Sequence, residues 1–154
     1  MTLVVEVRRL AEADIARIEA DEPPGQGFVR AMWRLQERGS SVLLVAWVDG
    51  APVGSAQLDR SGTPVELKNL NVDRRMRGLG VGTALIRAAE AEARPAGTLA
   101  MGVGLDNPRA RALYGRLGYE PTGRRTTTTY EYVDEHGVRK TATETDELLV
   151  KVLG

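Results

Sequence analysis

The spacing of apolar residues predicts alternating strands and helices in the first third of the chain. Val4 to Arg9 alternates apolar and polar residues, which is typical of a strand. Apolar residues recur at helical spacing over Glu12 to Ala20 and over Phe28 to Arg38, and a break rich in proline and glycine separates these two helices. Val42 to Val48 is an almost unbroken apolar run, which favours a strand covered on both faces.

Further strands and helices follow, each bounded by turn or capping residues. Asp49-Gly50 is a hairpin turn signal, Pro95 stops a helix, and Asn107-Pro108 is a good helix start. The predicted elements are strands over Pro52 to Leu58, Val65 to Val72 and Leu99 to Leu105, and helices over about Gly82 to Arg94 and Pro108 to Leu117.

The tail from Tyr119 to Gly154 predicts an antiparallel strand pair. It turns at Asp134 to Gly137 and ends on an alternating segment, Glu147 to Leu153. Taken together, the elements indicate an α/β fold with a mixed, mostly antiparallel central sheet of about seven strands and about four helices on its two faces. No break in composition divides the chain, so we expect one domain over residues 1–154.

Composition excludes several classes of function. Twenty-one basic residues balance twenty-one acidic ones, so no general attraction to nucleic acid or to an anionic membrane is expected. The absence of cysteine excludes disulfides, thiolate metal sites and a cysteine nucleophile, and no other metal-ligand constellation is present. No signal-peptide pattern and no long apolar segment is visible, so a soluble cytoplasmic protein is expected.

The stretch from Leu70 to Thr83 reads as a strand end, a basic glycine-rich loop and a helix start. Gly78, Gly80 and Gly82 allow the backbone to approach a ligand, and the helix dipole favours an anion at the same place. The loop lacks the lysine of a P-loop, since no lysine lies between Lys68 and Lys140. It also lacks the glycine spacing and the acidic residue of a dinucleotide-binding fingerprint.

The remaining pattern, Arg77-x-x-Gly80-x-Gly82 after the strand end Leu70-x-Val72, resembles the pyrophosphate-binding motif of the GNAT superfamily of N-acetyltransferases. A second segment, Asn107 to Tyr119, is similar to the superfamily's Asn-x-x-Ala-x-x-Leu-Tyr-x-x-Leu-Gly-Tyr/Phe signature. The resemblance implies the GNAT fold and acetyl-CoA as co-substrate. The residues it implies for cofactor binding are Leu70, Val72, Arg77, Gly78, Leu79, Gly80, Val81, Gly82, Thr83, Asn107 and Tyr114.

The chemistry implied is acetyl transfer from a thioester to an amine, which requires a base. Glu66 precedes Val72 by six residues on the predicted strand, where the histone-modifying branch of the superfamily has a glutamate base. In a regular strand Glu66 would share a face with Leu70 and Val72, so this role requires a bulge. The alternative is that Glu66 only pairs with Lys68 or an arginine across the sheet.

The departing thiolate needs a proton, and the resemblance implies that Tyr114 supplies it while the Val72 amide donates to the oxyanion. Tyr114 also belongs to an apolar helical stripe, so packing in the core is the alternative. Asn107 is a helix N-cap by position and a pantetheine partner by resemblance.

Several other residues are weaker candidates. Phe28 is the better candidate for a pocket residue, whereas Trp33 is typical of core. His136, the only histidine, lies in a predicted turn without triad partners, so no catalytic role is expected. The remaining candidates for an amine-binding mouth, each also typical of a solvated surface, are Asp21, Glu22, Tyr130, Glu131 and Tyr132.

The sequence therefore predicts an acetyl-CoA-dependent N-acetyltransferase that acts on a primary amine of a small molecule or amino-acid-like substrate by direct transfer in a ternary complex. Acetylation of a peptide or protein is one alternative, and a non-catalytic acyl-CoA-binding regulatory module is another. The apolar last strand could also support a homodimer.

Overall fold

The computed structural model describes residues 3–154, which group into two compact units. The first unit contains the chain up to Leu99 together with Leu153 and Gly154, and the second contains Ala100–Val152. The prediction of one domain over residues 1–154 stays a prediction. The strands are β1 (Glu6–Arg9), β2 (Ser41–Val48), β3 (Ala51–Asp59), β4 (Glu66–Val72), β5 (Thr98–Gly104), β6 (Glu120–Val133) and β7 (Arg139–Val152), and the helices are α1 (Ile15–Glu19), α2 (Phe28–Glu37), α3 (Val81–Ala93) and α4 (Pro108–Arg116).

The predicted fold class is confirmed. The seven strands belong to one mixed sheet, and four α-helices accompany them. The pairs β1–β2, β2–β3, β3–β4 and β6–β7 are all antiparallel. No helix within residues 3–154 is long and apolar enough to cross a membrane.

The first unit places its strands in the order β1-β2-β3-β4 and covers both faces of this part of the sheet. On one face Leu43 and Val45 of β2 pack in an apolar cluster with Val29 and Met32 of α2. On the other face Gly54 of β3 lies against α3, where a Cβ on Gly54 would come within 3.3 Å of side-chain atoms of α3. Register then fixes which residues of β4 point to each face.

One predicted helix of the first unit differs from the structure, and one charged residue of another helix is buried. The helix expected over Glu12 to Ala20 is a 3-10 turn over Glu12–Asp14 followed by the short α1, and the Asp14 side chain caps the start of the turn by accepting a hydrogen bond from the Ala11 N–H. In α3 the charged Glu90 is buried, and its carboxylate lies 3.1 Å from the guanidinium of Arg87.

The second unit contains a long hairpin formed by β6 and β7. Its turn is confirmed at Asp134 to Gly137, where the Asp134 carboxylate accepts hydrogen bonds from the N–H groups of His136 and Val138. The last strand is much longer than the predicted Glu147 to Leu153, because threonine-rich residues before it pair regularly with β6. Within this unit β7 lies between β5 and β6, so β6 is the edge strand.

Candidate active site

The glycine-rich loop between β4 and α3 has an open backbone. Gly78 has φ +78° and Gly80, the N-cap of α3, has φ +90°. A Cβ on either glycine would find no heavy atom of the protein within 4 Å, so the space beside both is empty of side chains. Arg77 donates from Nε to the Val72 carbonyl at 3.3 Å, and this bond ties the loop back to the end of the strand.

This loop fits a diphosphate. The first N–H groups of an α-helix have no partner within the helix, and α3 begins at Val81 with no side-chain cap on Gly80. The helix dipole adds positive potential at the same point, and a β-carbon at Gly78 or Gly80 would occupy space that a ligand can use. The predicted cofactor-binding residues Arg77 to Thr83 therefore lie together around one backbone cradle.

A β-bulge interrupts β4, as the proposed role of Glu66 requires. Lys68 pairs with Gln57 and Asn71 pairs with Ser55, so Asn69 and Leu70 together oppose the single residue Ala56. Because two residues of β4 lie opposite one residue of β3, the side chains beyond the bulge point to the opposite faces from those expected for a regular strand. As a result Glu66 shares a face with Asn71, while Val72 faces α3, with its Cγ2 3.9 Å from a Cβ built on Gly82.

A network of side-chain hydrogen bonds holds the bulge. Asn69 has φ +53°, and its side-chain amide donates to Oε1 of Gln57 at 2.9 Å. Gln57, only 8% exposed, in turn donates to Oγ of Ser41 at 3.0 Å. Both amide contacts satisfy polar groups that would otherwise be buried without a partner. These side chains thus connect β2, β3 and β4 at the position of the bulge.

A cavity of about 630 Å³ lies beside the bulge within the first unit. The segment between α1 and α2 forms one wall, and residues of β2, β3 and β4 form the others. Its acidic lining residues are Asp21, Glu22 and Asp73, and none of the described residues that line it is a lysine, arginine or histidine. Because its charged lining residues are all acidic, the cavity favours a cationic ligand.

Glu22 has a second contact that shapes the cavity wall. Its Oε1 accepts a hydrogen bond from the Val29 N–H at 2.7 Å, at the first turn of α2. The N-cap of α2, Gly27, has no side chain to satisfy that turn. Glu22 therefore both caps the helix and lines the cavity. Asp21 makes a longer contact, with its Oδ2 3.7 Å from Nη1 of Arg17, four residues earlier.

Glu66 lies at the start of β4, away from the bulge, and is not among the described residues that line the cavity. Its carboxylate is 3.9 Å from Nζ of Lys68, which binds Asp59 more closely, at 2.8 Å. The pairing with Lys68 that sequence reasoning held as an alternative is thus present. Leu70 lines the cavity, together with its neighbours Asn69 and Asn71.

In the second unit, Asn107 and Tyr114 take the positions that their motif predicts on α4. Asn107 is the N-cap, and its side chain accepts a hydrogen bond from the Ala110 N–H at 3.1 Å. Tyr114 is 9% exposed, and its hydroxyl has no hydrogen-bond partner among the described residues. Burial raises the pKa of the Tyr114 phenol above its usual value of 10.0, so the group holds its proton at neutral pH.

The weaker candidates divide between the cavity, the core and the surface. Phe28, Asp21 and Glu22 line the cavity, whereas Trp33 packs against the apolar cluster under α2. The tail candidates Tyr130, Glu131 and Tyr132 are exposed on β6, and His136 lies exposed in the hairpin turn. Residues 3–154 contain no cluster of acidic or histidine side chains placed to hold a metal ion.

Sequence reasoning did not identify Gln57, Asn69 or Asn71. The only local signal was the pair of asparagines in Asn69-Leu70-Asn71, since asparagine adopts positive φ more readily than other residues with a side chain. Nothing in the sequence near Gln57 connects it with Asn69, because the two lie on different strands.

Comparison with known proteins agrees with the motifs. Residues 12–119 match the model of the acetyltransferase (GNAT) family. Among curated proteins, no sequence matches significantly. An N-acetyltransferase from Staphylococcus aureus Mu50 has a similar structure, with a TM-score of 0.71 and 18% identity over 98% of this chain and 99% of that chain.

Two further structures have the same fold. The ribosomal-protein-S18-alanine N-acetyltransferase from Escherichia coli has a TM-score of 0.70 and 18% identity, over 98% of this chain and 95% of that chain. YncA, a putative acetyltransferase from Salmonella typhimurium solved with its cofactor acetyl-CoA, has a TM-score of 0.69 and 20% identity, over 97% of this chain and 94% of that chain. With its family match spanning most of its length and its fold shared with these proteins, the chain belongs to the acetyltransferase (GNAT) family.

Proposed function

We propose that this acetyltransferase acetylates a primary amine of a small molecule or amino-acid-like substrate, by direct transfer in a ternary complex. The observation that carries the proposal is the cavity beside the β4 bulge, with its carboxylates Asp21, Glu22 and Asp73 and no basic lining residue. A protonated amine is attracted to such a site before it loses its proton. The volume of about 630 Å³ suits a small molecule.

The diphosphate of the cofactor is assigned to the backbone N–H groups of Arg77 to Thr83, with Leu70 and Val72 beside the pantetheine arm and Asn107 as a further partner of that arm. Acetyl-CoA supplies the activated acetyl group as a thioester. The Val72 N–H is assigned to donate to the carbonyl oxygen of that group, in the manner of an oxyanion hole. Support for this assignment comes from the open glycine backbone at Gly78 and Gly80.

Two side chains are assigned to proton transfer. Glu66 accepts the proton of the ammonium group through water, since its carboxylate lies on the same face of β4 as the cavity-lining Asn71. Tyr114 holds a proton on its phenol oxygen for the leaving sulfur, and its burial keeps that proton bound. In this scheme Lys68 positions the Glu66 carboxylate from 3.9 Å.

Acetylation of a peptide or protein is the second candidate. The E. coli structure of the same fold is an enzyme for the alanine of ribosomal protein S18. A flexible peptide terminus would enter the same cavity and present one amine. The two candidates differ in charge, because a small polyamine carries several cationic groups whereas a peptide terminus carries one near its end.

The experiment that tests the proposal is the release of free CoA thiol from acetyl-CoA with a panel of amino acids, polyamines, aminoglycosides and short peptides. The chain contains no cysteine, so the thiol background is low. Release that depends on a small amine supports the proposal, and release with peptides alone favours the second candidate. Acetyl-CoA binding with no acceptor-dependent release across the panel would favour a regulatory module.

A variant pair sharpens the test. Asp21→Asn removes one cavity carboxylate, and we expect it to raise KM for a multiply charged amine about tenfold with little change in kcat. Glu19→Gln is the matched control, since Glu19 pairs with Arg30 and does not line the cavity. Equal KM values for wild type and Asp21→Asn would show that the Asp21 carboxylate does not contribute to binding of the amine.

A further inference from the structure

The outer edge of β6 is an unpartnered surface of the second unit. All fourteen residues of the strand, Glu120–Val133, are exposed. Within residues 3–154 no strand pairs with its outer side. Tyr130 and Tyr132 are 41% and 43% exposed, so two aromatic rings stand in solvent. A long exposed edge offers a row of N–H and C=O groups to any strand that can align with it.

The hairpin fixes which backbone groups face outward. The hydroxyls of Thr127 and Thr129 each lie 3.0 Å from a threonine hydroxyl of β7, which is typical of the closely spaced pairs that share no backbone hydrogen bond. Bonded and unbonded pairs alternate along an antiparallel ladder. The backbone N–H and C=O groups of Arg125, Thr127, Thr129 and Glu131 therefore point away from β7.

A two-fold axis restricts how such an edge can pair with itself. In an antiparallel pair of identical strands one residue must lie opposite its own copy, and outward-facing residues must pair with one another. If Thr128 lies on the axis, Arg125 of each copy faces Glu131 of the other, and Thr127 faces Thr129. On the other side of the ribbon, Thr126 faces Tyr130.

Neighbouring registers lack this match. Centring the axis on Thr127 places Arg125 opposite Thr129, and centring it on Thr129 places Arg125 opposite Val133. Only the register centred on Thr128 forms two opposite-charge pairs with β-branched pairs between them, which are the cross-strand neighbours that stabilise sheets. The charge complementarity is thus contained in one strand, and this points to a second copy of the same chain as the partner.

We propose that two copies of this chain associate through the outer edges of β6, antiparallel and with Thr128 on the two-fold axis. Because the four threonines from 126 to 129 lie at the centre of the contact, the interface is a backbone ladder flanked by ion pairs. Pairing in this way removes the exposed edge of each copy.

Cross-linking tests the register directly. The chain has no cysteine, so Thr128→Cys introduces a single thiol on the axis. Opposed residues in such a pair have Cα atoms about 4.5 Å apart, within the range that a disulfide spans. We expect Thr128→Cys to form a covalent dimer under mild oxidation. Thr126→Cys, on the same face but two positions off the axis, is the matched control and should stay monomeric. Efficient linking of Thr127→Cys instead would overturn the register.

Sedimentation of the full chain at high micromolar concentration tests the dimer itself. Twice the chain mass of 16.7 kDa is expected for wild type. In Glu131→Arg the new arginine of each copy faces Arg125 of the other, so the two ion pairs become two like-charge pairs and the dimer Kd should rise about tenfold. Glu135→Arg, in the exposed turn, is the control and should leave the Kd unchanged. Thr129→Pro removes one outward N–H donor and leaves the backbone hydrogen bonds to β7 in place, although it loses the hydroxyl contact with Thr143, so it should also weaken association. A monomeric wild type, or a dimer that neither Glu131→Arg nor Thr129→Pro weakens, would overturn the proposal.

Discussion

The glycine-rich loop and the bulge of β4 are close in sequence, yet they hold their shapes by different means. The loop depends on local backbone conformation, with positive φ at Gly78 and Gly80 and open space beside both. The bulge depends on side chains, since Asn69 is held in positive φ by Gln57, a residue of another strand. The loop is therefore a feature of its own residues, whereas the bulge is a feature of the packed sheet.

This difference predicts separate effects on the two substrates of the enzyme. Changes in the loop should reduce the affinity for acetyl-CoA and leave the amine cavity intact. Changes at the bulge should alter stability and the use of the amine while acetyl-CoA still binds, because Asn69 lines the cavity and the loop glycines do not.

The largest effect is expected from Gly80→Val. A β-branched residue at φ +90° is strained, and its side chain would fill the space assigned to the diphosphate. We expect acetyl-CoA affinity, measured by calorimetry, to fall about 1,000-fold. Gly97→Val is the matched control, because Gly97 has φ +84° with equally open space but lies outside the loop. An equal loss of affinity in both variants would trace the effect to backbone strain alone.

Glu66→Gln tests what the bulge does for catalysis. The bulge reverses the facing of β4 and places Glu66 on the face of Asn71. If Glu66 removes the amine's proton, kcat should fall about 100-fold while the Kd for acetyl-CoA stays unchanged. Glu12→Gln is a control for removal of an exposed carboxylate elsewhere. A silent Glu66→Gln variant would assign Glu66 to the ion pair with Lys68 and remove it from the mechanism.

The same contrast explains how much could be predicted from the sequence. The glycine-rich turn before α3, Asn107 as an N-cap and the fold class could be predicted, because each depends on neighbouring residues or on periodicity. The need for a bulge in β4 followed from the two-residue repeat of a strand. Its position at Asn69 did not, because the register with β3 and the contact with Gln57 are set only when the strands pair.

The hairpin shows a similar limit. Its turn was visible as Asp134 to Gly137, but the start of β7 at Arg139 was not, because the apolar alternation used to find strands is absent from an exposed ribbon. Threonine pairs across the hairpin replace apolar contacts there. The length of the exposed part of this hairpin is therefore set by cross-strand pairing and not by burial.

Asn69→Val breaks the bulge without touching the loop. The valine is strained at φ +53°, and Oε1 of Gln57 loses its donor. Together these costs should lower the free energy of unfolding by about 2 kcal/mol, measured in urea. Asn69→Gly keeps the backbone conformation and loses only the hydrogen bond, so its loss should be about half as large. Acetyl-CoA should bind both folded variants with wild-type affinity. A loss of cofactor affinity equal to that of Gly80→Val would mean that loop and bulge act as one structure.

The smallest effect concerns the start of β4, which is held by charge. Lys68 and the Ser61 hydroxyl, both hydrogen-bonded to the Asp59 carboxylate, lower the pKa of Asp59 to about 2. A carboxylate with a depressed pKa stabilises the fold above its unfolded pKa of about 3.9, and that contribution is lost as the pH falls from there towards 2. Asp59→Asn should therefore be less stable than wild type by about 1 kcal/mol at pH 7, and the two should converge near pH 2. Glu37→Gln, at the exposed end of α2, should follow the wild-type pH profile of urea unfolding. If Asp59→Asn instead differs from wild type equally at pH 7 and pH 2, hydrogen bonding and not charge holds this end of the strand.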